Sequence, residues 1–210
     1  MKKNKNNESI KNNPFKNTPT HSLNVKNTNV VNADITIRNF TDDLDLNSFL
    51  SDIRNLPNNI DVNLHILSPG GLVNQLFAIK NVLINEKNFN ITTYLHYGYS
   101  CGAMIFLLGK ERIIFEDSAY MLHSMGWGQI DTTNHATDYK NMTDIHEKHL
   151  YKMLSKYLKE NEIEDLKNGK EYWFGVDELF KYKIATHILI NGNKMNYKEY
   201  KKYLKDNKDV

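Results

Sequence analysis

The stretch Asp61-Val62-Asn63-Leu64-His65-Ile66-Leu67-Ser68-Pro69-Gly70-Gly71 decides the fold. Alternation puts Val62, Leu64 and Ile66 on one side of an extended chain, the period of a β-strand. The strand runs directly into Ser68-Pro69-Gly70-Gly71, and Leu72, Leu76, Ile79 and Leu83 then form one stripe of an amphipathic helix. Pro69 sets its own φ, and two glycines allow backbone angles and a closeness of approach that side chains would forbid. Taken alone, such a turn is more often structural punctuation than a binding element. At a helix start the amide N–H groups lack internal partners, which suits them to hold a developing oxyanion.

The same alternation of elements extends outward. Ile35, Ile37 and Phe40 fall as in a short strand, and Leu46, Leu50, Ile53 and Leu56 repeat at helical spacing between Asp45 and Leu56. Downstream, Ile91 to Tyr97 reads as a strand, Ser100 to Leu108 as a buried helix, and Arg112 to His123 as a third strand segment. Strands alternating with helices predict an α/β fold of βαβ units with a mainly parallel sheet. After a glycine-containing link, Gly126 to Thr133, a helix is expected from about Asp138 to Lys159. Its Tyr139, Met142, Leu150, Met153 and Tyr157 need cover, either from the chain's own sheet or from another subunit. A last helical side carries Val176, Leu179, Phe180 and Ile184.

Two hundred and ten residues fit one domain with tails. Residues 1–33 contain ten Asn and six Lys against the single acid Glu8, so they read as a disordered leader of charge +5. The remainder, with 21 Lys and Arg against 24 Asp and Glu, carries −3, and charge therefore points to no nucleic-acid partner. The domain is expected over residues 34–190, with a charged tail over 191–210. Cys101 is the sole cysteine, which removes any intrachain disulfide or thiolate metal cluster and suits a reducing, cytoplasmic setting. The longest apolar run, Ala103 to Leu108, is far below the ~20 residues of a membrane span, and the basic start lacks the apolar segment of a secretory signal.

Two further segments carry chemistry. In Gly98-Tyr99-Ser100-Cys101-Gly102 a strand ends at a serine among small residues, leaving its hydroxyl accessible as a nucleophile requires. The spelling G-x-S-x-G also matches the nucleophile elbow of α/β-hydrolases, although the chain is short for that family and only His187 remains late enough to serve its chain order. Cys101 is a rival nucleophile, and only one of the two neighbours can face a groove. Tyr120-Met121-Leu122-His123 closes an apolar strand on a histidine, the side chain suited to take and return a proton near neutrality.

Ser-Pro-Gly-Gly before an amphipathic helix, a small-residue serine turn, and a strand closing on His resemble, in that order, the proteolytic subunit of Clp protease. The phage and prophage head-maturation members are especially similar. The resemblance covers roughly residues 34–190 and includes Ala136-Thr137-Asp138, which looks like the start of that family's handle helix, and Gly169-Lys170-Glu171-Tyr172-Trp173-Phe174, which looks like the segment of its third triad member. It implies a twisted ClpP/crotonase-like spiral with a protruding handle helix. The implied site is Ser100 as nucleophile, His123 as general base, Glu171 where the family usually has Asp, and the amides of Gly70 and Cys101 as oxyanion hole. It further implies a serine endopeptidase without cofactor or metal, acting on polypeptides inside a homo-oligomer of heptameric, stacked rings, served by a ring ATPase or, in the head-maturation relatives, acting on capsid proteins.

Departures from the pattern are Leu67, where the family usually has Asn, and Cys101, where it often has Met. Aligning Gly98 to the glycine that usually lies four residues before the serine would put Gly102 at the nucleophile position and make an inert ring component. Ungapped spacing back from His123 favours Ser100. A crotonase-like acyl-CoA enzyme shares the superfold without needing the Ser100–His123 pairing, and a signal-peptide-peptidase-like enzyme would use a lysine base and a membrane anchor.

Overall fold

The computed structural model describes residues 21–25, 32–39, 43–125 and 133–207. In chain order the elements are β1 (His21–Val25), β2 (Asn32–Ile37), α1 (Asp43–Asn55), β3 (Asp61–Ser68) and α2 (Val73–Lys80), which continues as a π-helical turn over Asn81–Glu86. There follow β4 (Asn90–Tyr99), α3 (Cys101–Phe106), β5 (Glu111–Leu122), α4 (Thr133–Leu154) and α5 (Glu160–Lys167). The chain closes with β6 (Tyr172–Phe174), α6 (Val176–Lys181), β7 (His187–Ile190), β8 (Asn193–Met195) and α7 (Tyr197–Asp206).

One sheet runs in the order β1-β2-β3-β4-β5-β7-β8, with β6 on the side of β5. The pairings from β2 through β5 and on to β7 are parallel, and β1, β6 and β8 pair antiparallel. This is the mainly parallel α/β architecture expected of the alternating pattern. The alternation in β3 is realised in full: Val62, Leu64 and Ile66 are buried in one apolar cluster with Ile53, Leu76 and Ile105 from the helices. Burying each such side chain stabilises by about 1.5–3 kcal/mol.

β5 is long enough to serve two partners. Its first half pairs with β7 through Ile113 and Ile114, and its last residues pair with β6 through Tyr120, Met121 and Leu122. Between the halves the ladder to β4 jumps, from Leu95 opposite Ile114 to Tyr97 opposite Ala119. Ser118 closes this bulge, its hydroxyl donating to the Leu95 carbonyl and accepting from the Phe115 amide at 2.8 Å. A bulge of this kind re-aims the strand beyond it, here the part that ends at His123. Arg112 ties the β7 side, donating to the carbonyls of Ile184 at 2.6 Å, Lys183 at 3.0 Å and Gly109 at 2.8 Å.

Several expectations meet a different structure. β1 lies inside the stretch read as a leader, where its backbone ladder to β2, from His21 opposite Ile37 to Val25 opposite Ala33, supplies partners that composition does not reveal. Residues 1–20 and 26–31, Phe40, and the link at 126–132 lie outside the described residues. The 191–210 segment contains β8 and α7 rather than only a tail; Asn196 caps α7 by accepting from the amides of Lys198 and Glu199, and Tyr200 is buried. α4 ends at Leu154, so Tyr157 lies beyond it. Its last turns join the core through Leu150, Met153 and Leu154, while Met142 and Ile145 are exposed.

Candidate active site

β4 ends one residue before Ser100, and Ser100 has φ 55° and ψ −123°. A non-glycine residue in such a conformation costs about 1–3 kcal/mol and persists only where its surroundings over-determine it. Here the Ser100 amide donates to the Met121 carbonyl at 2.9 Å, and its carbonyl accepts from the Met104 amide at 3.2 Å, the first bond of α3. The strand-to-helix turn at Ser100 is therefore strained, on a sheet whose strands follow a different plan from an α/β-hydrolase.

Glycines let the turn close. A Cβ on Gly102 would stand 2.7 Å from the Ser68 carbonyl oxygen, and one on Gly70 would stand 2.9 Å from Ser100 Cβ and 3.0 Å from the Tyr99 oxygen. Gly70 also has φ 111°, a conformation that side chains rarely adopt. Gly102 thus packs against β3 and has no place on the cavity wall, so the alignment that would put the nucleophile position there points it into the Ser68 backbone.

A cavity of about 440 Å³ opens beside Ser100. Gly71, Leu72 and Asn74 line it from the start of α2, Ser100, Cys101 and Met104 from the serine turn, Leu122 and His123 from the end of β5, and Met142, His146, Leu150, Tyr151 and Leu154 from α4. Ser100 and His123, 23 positions apart in the chain, are brought to one wall because β4 and β5 are adjacent and in register, Tyr99 opposite Met121. His123 is half-buried.

Cys101 also reaches this wall, but its thiol is buried, and burial pushes its pKa up to about 11 against the opposing pull of contacts from Ser100 and the Gly71 amide. It is a neutral thiol at physiological pH, whereas the thiolate is the nucleophilic form. Its amide stands at the first position of α3, where backbone N–H groups have no intrahelical partner. The Gly70 amide donates to the buried Ser68 hydroxyl at 3.1 Å, and it is Gly71 rather than Gly70 that lines the cavity.

Glu171 is exposed and lies off the cavity, its carboxylate accepting from the Trp173 indole at 3.3 Å. Its placement comes from β6: Met121 pairs with Trp173 and Leu122 with Tyr172, the last pair of the ladder, so Glu171 and His123 are the next residues beyond that pair on the two segments. Alternation puts Glu171, Trp173, Met121 and His123 on the same face of the sheet. The sequence reading missed Ser68 and the Met121 carbonyl, for which no local pattern exists. It also missed His146 and Tyr151, which flank the recognised Leu150 on α4.

The sequence model of the family described as Clp protease matches residues 22–192. The chain belongs to the Clp protease family. The match begins within β1 and ends beyond β7, so it spans nearly the whole described sheet. Membership makes the chain a member of a peptidase family and agrees with the mixed α/β fold. No curated protein matches it. Among the described residues no helix is long and apolar enough to cross a membrane, and no group of three or more His, Cys, Asp and Glu side chains is arranged to hold a metal ion.

Proposed function

We propose that the chain is a serine endopeptidase that hydrolyses peptide bonds through an acyl-enzyme. The observation that carries this reading is Ser100, held at a strained turn on the wall of a cavity it shares with His123, in a chain of the Clp protease family. Ser100 Oγ attacks the carbonyl carbon while His123 takes its proton; His123 returns that proton to the leaving amine as the C–N bond breaks, and water resolves the ester by the reverse sequence. Glu171 orients the imidazole, a role its longer side chain can fill from across the ladder. The oxyanion is held by the Cys101 amide at the start of α3 and by the Gly70 amide, which exchanges its Ser68 partner for the substrate oxygen. Each donor contributes about 10² to 10³ in rate.

Substrates are polypeptides, and the working form is a homo-oligomeric ring, heptameric and stacked, either served by a ring ATPase that delivers chains or acting on capsid proteins. Met142 and Ile145, exposed on α4 at 42% and 59%, support burial against another copy. Native mass measurement tests this, seven or fourteen copies being expected and a monomer contradicting it.

The decisive experiment compares Ser100→Ala with Cys101→Ala in casein or fluorogenic-peptide turnover and in labelling by a fluorophosphonate. Ser100→Ala is expected to abolish both, a loss on the order of 10⁶ in kcat, while Cys101→Ala keeps both. Full turnover by Ser100→Ala would overturn the assignment.

A further inference from the structure

The residues on either side of Glu171 are tied to one atom. Asp165, in the last turn of α5, accepts on Oδ2 from Lys170 Nζ at 2.8 Å and from the Tyr172 hydroxyl at 2.9 Å. Lys170 Nζ also stands 4.8 Å from the centroid of the Tyr172 ring, so the three side chains close into a triangle. Main-chain bonds reinforce it: the Lys170 amide donates to the Asp165 carbonyl at 3.0 Å and the Gly169 amide to the Leu166 carbonyl at 2.9 Å, with Gly169 at φ 89°. This is the paired bonding by which a helix end closes over a glycine. α5 itself is fixed to the core through Leu166, which is fully buried. Lys170, and after it Tyr172, holds the Asp165 carboxyl below the usual carboxylate range, so the group is an anion at physiological pH.

The cluster contributes little to stability, because the Asp165 and Lys170 side chains are 44% and 56% exposed and solvent screens the pair. Its consequence is geometric. In an extended segment successive side chains leave on opposite sides. With Lys170 and Tyr172 both drawn to Asp165, Glu171 between them leaves on the other side, which it shares with Trp173, whose indole donates to its carboxylate at 3.3 Å.

We propose that Asp165 is a positioning residue of the peptidase site: it holds Lys170 and Tyr172 so that Glu171 presents its carboxylate toward the end of β5, where His123 follows Leu122. The proposal rests on the reading of Glu171 as the acid that orients the imidazole. Asp165 lies off the cavity wall and acts only through Glu171. A misplacement of about 1 Å at a reacting group can cost up to 10²-fold in rate. Releasing the two neighbours of Glu171 therefore lowers the rate of the chemical step and leaves substrate binding as it was.

A double-mutant cycle tests this on a fluorogenic peptide, with the full-length wild type, Asp165→Ala, Glu171→Gln and the protein carrying both changes. Asp165→Ala is expected to lower kcat by about 3- to 10-fold with KM unchanged. Where Glu171→Gln is already present it should lower kcat by less than about 2-fold, because no orienting carboxylate is left to place. The Tm of Asp165→Ala should stay within about 2 °C of the wild type's, since the ion pair it removes is exposed. Tyr172→Phe removes a single hydroxyl and keeps the ion pair, so a smaller loss of about 2-fold is expected, with the same dependence on Glu171; this variant carries the test if Asp165→Ala loses its fold. An equal loss with and without Glu171→Gln, or no loss at all, overturns the proposal and leaves Glu171 in the triad. Wild-type turnover by Glu171→Gln removes the acid itself, and the role of Asp165 with it.

Discussion

The two faces of the sheet, built from the same strands, follow opposite rules. On one face Leu64, Ile66, Ile91 and Leu95 lie at 2% exposure or less in a single apolar cluster with the helices. On the other face the intervening residues are half-buried and hold one another: Asn63 donates to Asp34 at 2.8 Å, the His65 ring stacks on Tyr94 with centroids 4.7 Å apart, His96 Nε2 lies 3.3 Å from His65 Nδ1, and the His96 ring centroid lies 4.7 Å from that of Phe115. The covered face needs only apolar volume at the right period, so it specifies the fold and little else. The open face spends its positions on polar and aromatic groups, and at its end stand His123, Trp173 and Glu171. Ser100 turns at the end of β4, and it lines the same cavity as His123 at the end of β5.

The sharpest way to break this contrast is to overfill the covered side. Gly102→Ala would press a methyl group to 2.7 Å from the Ser68 carbonyl, a backbone atom that cannot swing aside. A destabilisation of about 3 kcal/mol is expected, which lowers Tm by roughly 6–12 °C at this size, together with loss of turnover. Calorimetry showing an unchanged Tm would mean the covered side is looser than its glycines imply.

A change on the open face should leave the fold alone and touch the rate. Glu171→Gln is expected to keep the wild-type Tm and lower kcat/KM on a fluorogenic peptide by about 10²-fold, toward the low end of acid–base contributions, with Glu171→Asp retaining more activity than Gln. Equal rates for Gln and wild type would remove Glu171 from the triad.

The smallest expected effect is on pH dependence. Burial is the main cause that lowers the pKa values of His65 and His96, reinforced at His65 by His96 itself and opposed by Asp34 and Asp117. Their folded values lie below the usual 6.5, so the pair's contribution is complete above about pH 6.5 and is lost as pH falls through the folded values. Urea midpoints should therefore drop between pH 7.5 and 5, and less so in His96→Asn. An identical drop in the variant would place the acid sensitivity elsewhere.

The legible parts of the molecule are those with a local signature. β3, β4 and β5 announce themselves by alternation, α1 and α2 by apolar spacing, and the turns at Gly70 and Ser100 by small residues at strand ends. β1, β6 and β7 are short, and their stability comes from ladders to β2 and β5 that no five-residue window contains. α7 was hidden by its lysines, which occupy the exposed side of a helix whose Tyr200 is buried. Within the site, Ser100 and His123 could be named from sequence as strand-end residues, whereas the positive φ of Ser100, the partner of the Gly70 amide and the orphan hydroxyl of Tyr151 belong to no pattern along the chain.

By itself the sequence determined the central run of strands and helices from β2 to β5, the residues of those elements that face the core, and the candidate nucleophile and base, because period, glycine placement and strand ends are properties of neighbouring residues. Only the tertiary structure decided that Ser100 is strained, that Gly102 is spoken for by Ser68, and that the end of β5 is paired with β6 next to Glu171. Those outcomes depend on which strands lie side by side, and β5 acquires its two partners only when segments far apart in the chain close onto it.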